Sequence, residues 1–171
     1  MAASNGFEAK QALKGGVTAG VIAGGVLSIC MAIMCAIKGI DVWSNVFKGA
    51  AAPFIGQAAY EPGFALGPVT LGVLCHFAVS IVWGMLFGLV AYGFSKPVTV
   101  LASVAWGFVV WGGMFYVVLP LVGLGDMARN APIASAIVTH TIFGVTMGLA
   151  FLPFQKPHHV HVGRHMPVHG H

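Results

Sequence analysis

Charged residues divide the chain into four long uncharged segments. These segments comprise residues 15–37, 62–95, 97–125 and 130–155. A helix needs roughly 20 apolar residues to cross the hydrocarbon core of a bilayer, and it satisfies its own backbone hydrogen bonds there. Strands of a membrane barrel would instead be about 10 residues long with alternating polarity, a pattern that this sequence lacks. The pattern predicts an all-α integral membrane protein with four transmembrane helices.

Glycine, proline and short polar groups indicate where the helices begin and end. Val42, Trp43, Val46 and Phe47 recur at helical spacing with polar residues between them, which is typical of an amphipathic helix at a membrane surface. We therefore expect an interfacial segment at 41–60. The predicted four-helix domain covers residues 1–155, with spans at about 15–37, 68–94, 98–122 and 132–154, and a histidine-rich tail follows at 156–171.

Composition and charge agree with this pattern. Only 7% of the residues are charged and 58% are hydrophobic, whereas soluble domains carry about 25% charged residues. The net charge of +4 includes no basic cluster, so we expect no nucleic-acid partner. The positive-inside rule places both termini in the cytoplasm, because the positive residues divide into Lys10, Lys14, Lys96, Lys156 and Arg164 on one side and Lys38, Lys48 and Arg129 on the other.

Matching features in the two halves predict a tandem duplication of a helical hairpin. Pro68, His76 and Gly84 have counterparts 64 residues later. Two copies of a hairpin would keep the same orientation, as in parallel repeats related by an axis along the membrane normal. The matched sets are Pro68, His76 and Gly84 with Pro132, His140 and Gly148; Phe94, Lys96 and Pro97 with Phe154, Lys156 and Pro157; and Gly24-Gly25 with Gly112-Gly113.

Regularly spaced glycines predict close packing of helices. Small residues four positions apart let helix backbones approach closely in lipid. They suit either a compact bundle or the seam of a homodimer. The residues are Gly16, Gly20 and Gly24, the pair Gly84 and Gly88, and the pair Gly144 and Gly148.

His76 and His140 are the main candidate site residues. Each follows its proline by eight residues, about 12 Å along a helix, so both rings are expected near the middle of the bilayer. Three interpretations stay open. Each ring forms a hydrogen bond with a backbone carbonyl or with a hydroxyl such as that of Ser80, Thr139 or Thr141. Alternatively, the rings ligate haem b or a transition metal as neutral imidazoles, or they belong to an ion or proton path.

The tail and the first span contain further candidate ligands. Imidazole suits Cu, Zn and Ni, so the tail either captures such ions or is a disordered segment with incidental histidines. Met31, Met34, Cys30 and Cys35 indicate either a cuprous site or flexible core packing. Asp41 is expected to cap a helix or to be a surface charge near the outer membrane boundary. The tail histidines are His158, His159, His161, His165, His169 and His171.

The glycine-rich first span, the two Pro-x7-His-x7-Gly segments and the four-span length resemble those of small, uncharacterised bacterial inner-membrane proteins of the YagU-like type. The resemblance covers the four spans but not the tail. It implies a location in the bacterial inner membrane and supplies no reaction.

No phosphate-binding loop, zinc-protease motif or nucleophile motif is present in the sequence, so we expect no enzymatic activity. The function predicted is a membrane accessory or binding protein whose paired histidines ligate haem b or a metal. The alternatives are a small metal-ion transporter or channel component, and a purely structural subunit of a larger complex. Besides the bilayer, the expected partners are other membrane subunits or further copies of the chain.

Overall fold

A computed structural model of the chain describes residues 2–125, 129 and 132–156, with side chains from residue 8 onward. Four long helices make up most of it: α1 (Ala2–Lys38), α2 (Leu66–Ala91), α3 (Lys96–Gly113) and α4 (Ile133–Phe151). A π-helix (Met114–Val118) and a final turn (Leu119–Leu121) continue α3, and a 3₁₀ turn (Leu152–Phe154) continues α4. The described part of the chain is thus helical, as the sequence predicts.

All four helices are long and apolar enough to cross a membrane. The qualifying segments are Glu8–Lys38, Leu66–Ala91, Lys96–Leu121 and Ile133–Phe154, with mean hydropathies of 2.4, 2.2, 1.8 and 1.6. They overlap the four predicted spans. The first helix begins earlier than predicted, because the residues before Gly15 include several good helix formers, and helix formation does not require an apolar sequence.

The helices pack in the lateral order α2, α1, α4, α3. Helix α1 packs along both α2 and α4, and α3 packs along α4. Helices α2 and α3 approach each other mainly through large aromatic side chains. The indole Nε1 of Trp106 donates a hydrogen bond to the backbone carbonyl of Trp83 at 3.2 Å, and the two rings meet edge to face. Because α2 and α3 pack less closely than the other neighbouring helices, space remains between the helices on that side of the bundle.

The regularly spaced glycines lie at helix contacts within the chain. A Cβ added to Gly20 would lie 2.4 Å from the carbonyl oxygen of Ser80, and one added to Gly84 would lie 2.3 Å from that of Gly16. In α4, a Cβ on Gly144 would lie 2.4 Å from the carbonyl oxygen of Ser103. The compact-bundle interpretation of these glycines is confirmed, since the small residues bring α1 against α2 and α3 against α4.

The connection between α1 and α2 is a series of short turns. Where the sequence predicts an interfacial segment at 41–60 that includes an amphipathic helix around residues 42–47, the chain forms a π-helix, two 3₁₀ turns and a single α-helical turn. Pro53 donates no backbone hydrogen bond, and Gly56 adopts a φ of +57°, so a regular helix does not continue through this segment. The elements are Trp43–Lys48, Gly49–Ala51, Ala52–Ile55 and Gly56–Ala59.

Asp41 organises this connection from its first turn. Its Oδ2 accepts hydrogen bonds from the backbone N–H of Ser44 at 2.7 Å and from the Ser44 hydroxyl at 2.8 Å. Its Oδ1 accepts a further bond from the backbone N–H of Gly63 at 3.1 Å. The expected capping role of Asp41 is confirmed, and the same carboxylate ties the start of the connection to its end. Within the same connection, the buried ammonium of Lys48 donates a hydrogen bond to the backbone carbonyl of Glu61.

Gln155 holds the helix ends together on the opposite side of the bundle. Its Oε1 accepts a hydrogen bond from the backbone N–H of Gly93 at 2.8 Å. Its Nε2 donates to the carbonyl of Ala91 at 2.8 Å and to the hydroxyl of Thr99 at 2.6 Å. One side chain thus joins α4 to the turn between α2 and α3.

Candidate functional site

A cavity of about 560 Å³ lies among the four helices. Its volume is in the usual range for small-molecule sites, about 300–1,000 Å³. The wall is largely apolar and carries a few polar groups, of which His76 on α2 and His140 on α4 are two. It extends toward the end of the bundle that carries the α1–α2 connection, where Lys38 and Asn45 belong to its wall. Two of the predicted site residues therefore share one cavity.

His76 is bound across the helix interface to α1. Its Nε2 lies 3.0 Å from the carbonyl oxygen of Gly24 and 3.1 Å from the hydroxyl of Ser28. Because a carbonyl only accepts hydrogen bonds, we assign the proton of the neutral ring to Nε2. The other ring nitrogen, Nδ1, then keeps its lone pair. His76 thus combines a hydrogen bond between helices with one unprotonated nitrogen.

His140 is bound to its own helix. Its Nδ1 lies 2.8 Å from the carbonyl oxygen of Ala136, one turn earlier. The same reasoning assigns the proton to Nδ1 and the lone pair to Nε2. The rings of Phe115 and Trp111 flank the imidazole, with centroid separations of 6.0 and 6.3 Å. These contacts fix the orientation of the His140 ring.

The second ring nitrogen of His140, Nε2, is unpaired and partly exposed. It forms no hydrogen bond within the described residues. Among the described residues, Trp111 Nε1 is the one side-chain nitrogen or oxygen atom that is both fully buried and without a hydrogen-bond partner, so His140 Nε2 is not fully buried. The nitrogen therefore retains accessible surface, and its ring lines the cavity. This places an electron-pair donor at the wall.

Two π-helical segments contribute to the same wall. Asn45 belongs to the first, Trp43–Lys48, and Met114 and Phe115 belong to the second, Met114–Val118. A π turn changes the angular position of the residues that follow, and such turns are frequent at functional sites. Neither turn is predicted from the sequence, and Met114 is not among the ligands predicted from it.

Polar residues surround the end of the cavity beside the α1–α2 connection. The ammonium of Lys38 donates to the hydroxyl of Ser135 at 3.4 Å and joins α1 to α4. Asn45 donates from Nδ2 to the carbonyl of Asp41 at 2.7 Å. The hydrogen bonds from the backbone N–H and hydroxyl of Ser44, then that from Gly63 and the charge of Lys48, hold the pKa of the Asp41 carboxyl below its ordinary value.

The other predicted ligands divide into three groups. Met31, Met34 and Cys35 lie on the cavity wall, whereas Cys30 and Cys75 are not among the residues that form it. The six tail histidines lie outside the described residues. Across residues 2–125, 129 and 132–156, no three His, Cys, Asp or Glu side chains form a group that could hold a metal ion.

Ser28 is the partner that the sequence analysis missed. It lies one helical turn after Gly24 on α1, and its hydroxyl meets His76. A search for hydroxyl residues at i+4 from the packed glycines of α1 would have found it.

Comparison with protein-family models, with curated proteins and with solved structures finds no match to this chain.

Proposed function

We propose that this chain is a non-enzymatic integral membrane protein that binds a ligand in the cavity between its helices, with His76 and His140 as the paired ligand-binding residues. The observation that carries the proposal is that the two imidazoles, presented by different helices, line the same cavity of about 560 Å³. A concave, mainly apolar site with a few convergent polar groups is the usual form of a small-molecule or cofactor site.

The ligands that we propose are haem b or a transition-metal ion. Support comes from the tautomer of His140, whose Nδ1 donates to the Ala136 carbonyl while Nε2 keeps its lone pair. Metal-ligating histidines commonly donate their other ring N–H to a carbonyl in this way, which fixes the tautomer and raises ligand basicity. His76 would contribute through Nδ1, or through Nε2 after release of its bond to Gly24.

We also propose that the four helices cross the bacterial inner membrane with both termini in the cytoplasm. Their length and hydropathy support insertion, and the distribution of Lys and Arg supports the orientation. The YagU-like resemblance supports the choice of membrane. In this arrangement, the end of the cavity beside Lys38 faces away from the cytoplasm.

The proposed duplication of a helical hairpin is supported by a shared packing register. A Cβ on Gly20 would meet the Ser80 carbonyl, and one on Gly144, 64 residues after Ser80, would meet the Ser103 carbonyl. In this register, Gly20 of α1 corresponds to Ser103 of α3, which lies 83 positions later in the sequence. By the same shift, Gly24 corresponds to Gly107. That alignment replaces the match of Gly24-Gly25 with Gly112-Gly113 suggested by the sequence.

Absorption spectroscopy and elemental analysis of gently solubilised full-length protein test the binding function. We expect a Soret band or a bound metal that is lost in both His76→Ala and His140→Ala. A variant with all six tail histidines changed to alanine is the matched control and should keep the cavity ligand. Protein that is colourless and metal-free, and stays so after incubation with hemin or metal salts, would refute the proposal.

Transport of a metal ion is the second candidate function, because the cavity extends from the two rings toward one end of the bundle. Flux into proteoliposomes that disappears in His140→Ala would favour it. Stoichiometric co-purification of other membrane subunits with a ligand-free chain would instead favour a structural subunit. Self-association in mild detergent would identify a homo-oligomer.

A further inference from the structure

Residues with sulfur-bearing side chains from two helical segments line the cavity. Met31, Met34 and Cys35 come from the second half of α1, and Met114 comes from the π-helix that continues α3. His140 lies on the same wall, and its ring contacts Phe115, the residue next to Met114. Three methionines, one cysteine and two histidines therefore line a single cavity. Met31 and Met34 are three residues apart and share one face of α1.

The chemistry of this wall suits a soft cation. A thioether sulfur and an unprotonated imidazole nitrogen both donate electron pairs. Soft sulfur ligands select Cu(I), and imidazole also suits copper. The N–H group of each histidine is already used, at Gly24 for His76 and at Ala136 for His140. The rings therefore offer lone pairs to a ligand, which favours a cation over an anion or a carbonyl compound.

We propose that the cavity binds a cuprous ion, through Nε2 of His140 and the thioethers of Met31, Met34 and Met114. This inference rests on the proposed binding function and specifies its ligand. Cys35 borders the same space and is a further sulfur ligand. Lys38 places a positive charge on the cavity wall, and its ammonium donates a hydrogen bond to the Ser135 hydroxyl. Its repulsion weakens binding of a cation.

Anaerobic competition for Cu(I) against a chromogenic cuprous chelator tests the proposal. Full-length protein in detergent is compared with the triple variant Met31→Leu/Met34→Leu/Met114→Leu, which keeps side-chain volume but removes sulfur. Met85→Leu on α2 is the control, because Met85 is not part of the cavity wall. Every variant keeps the tail, so copper bound by the tail histidines is a constant background.

We expect the wild-type chain and Met85→Leu to retain Cu(I) equally. The triple variant should bind at least about tenfold more weakly, the scale on which changes around a metal site alter affinity. Copper X-ray absorption should show a sulfur shell that is diminished only in the triple variant, which keeps the Cys35 thiol. Lys38→Gln should bind Cu(I) more tightly, because it removes a positive charge from the cavity wall. If the triple variant does not fold, Met114→Leu alone and Lys38→Gln supply the same comparison.

Different results would reject the cuprous site and the proposed ligand-binding function. Equal retention of Cu(I) by the triple variant and the wild type, or no retention by either, overturns the cuprous site. If His140→Ala still abolishes a Soret band or binding of another metal, the binding function stands and only the cuprous site is lost. If no ligand depends on His140, both proposals fail.

Discussion

The imidazole of His76 joins helix α2 to helix α1, because its Nε2 lies 3.0 Å from the carbonyl oxygen of Gly24. Gly24 lacks a side chain, and this brings its backbone within reach of the ring. His140, the counterpart of His76 in sequence, bonds a carbonyl of its own helix instead. The two histidines therefore form different contacts, although their sequence surroundings match. His76 holds two helices together, and His140 keeps an accessible nitrogen at the cavity.

A double-mutant cycle between Ser28 and His76 measures the bond between α1 and α2. We expect Ser28→Ala and His76→Ala to be less than additive in the free energy of unfolding. Their coupling should be about 0.6 kcal/mol and at most about 1.7 kcal/mol, the average and maximum for such bonds between membrane helices. Unfolding in mixed detergent micelles provides the measurement. The control pairs His76→Ala with Thr141→Ala, whose hydroxyl bonds its own helix, and should show no coupling.

Gly20→Ala and Gly25→Ala test the close contact of α1 with α2. A Cβ on Gly20 would lie 2.4 Å from the backbone carbonyl oxygen of Ser80, whereas one on Gly25 meets nothing within 4 Å. Forced separation of packed elements costs about 1–3 kcal/mol, so Gly20→Ala should lower the free energy of unfolding by that amount. Gly25→Ala should be neutral or stabilise by up to about 1 kcal/mol, because alanine favours helix. Equal effects of the two substitutions would contradict the packing described.

Asp41 should make the α1–α2 connection sensitive to acid. Its pKa is lowered below 3.8, first by the hydrogen bonds from Ser44. A depressed pKa means that the ionised carboxylate stabilises the fold above pH 3.8, and that this contribution is lost as the pH falls through the folded-state pKa. Trp43, whose ring contacts those of Phe47 and Phe64 in this connection, should report the loss as a fluorescence change as the pH falls below 3.8.

The Asp41→Asn substitution should remove most of that acid-induced change, because asparagine carries no titrating carboxyl. Glu61→Gln, in the same connection, is the control and should keep the wild-type profile. An unchanged profile in Asp41→Asn would show that another group governs the transition.

Ala136→Leu should block the cavity without removing either histidine. Ala136 lies on the cavity wall, and its backbone carbonyl, which a side-chain change preserves, orients His140. The added side chain should weaken binding of haem or metal by about tenfold or more, equivalent to roughly 1.4 kcal/mol. Ala134→Leu on the exposed face of the same helix is the control and should bind normally. Full ligand occupancy in Ala136→Leu would place the ligand outside this cavity.

The location of the helices could be predicted from the chain alone, but their ends could not. Exclusion of charge from an apolar segment is a local property, so the uncharged segments coincide with the four helices. The extension of α1 to Ala2 and the short turns after Asp41 depend on hydrogen bonds and helix propensity outside the apolar segments. Gln155 illustrates the same limit, because its partners lie 56 to 64 residues away in the sequence.

The candidate site was predictable in part. Repeated spacing around His76 and His140 identified both residues, and the methionines of α1 were noticed as soft ligands. That Met114 lines the same cavity was not predictable, because this depends on how the third helix packs against α4. Ser28 was missed because its role depends on which face of α1 meets α2.

The sequence by itself determined that the chain forms four apolar helices, since length and absence of charge are properties of each segment separately. It also determined which two titratable rings fall within them. Only the tertiary structure decided that α1 packs between α2 and α4, that His76 is tied to Gly24 while His140 keeps a lone pair at the cavity, and that sulfur atoms from α1 and Met114 border the same space. The physical reason is that each helix's rotation about its own axis is fixed by contacts with residues far away in the sequence, among them the glycine contacts and the Trp83–Trp106 pair.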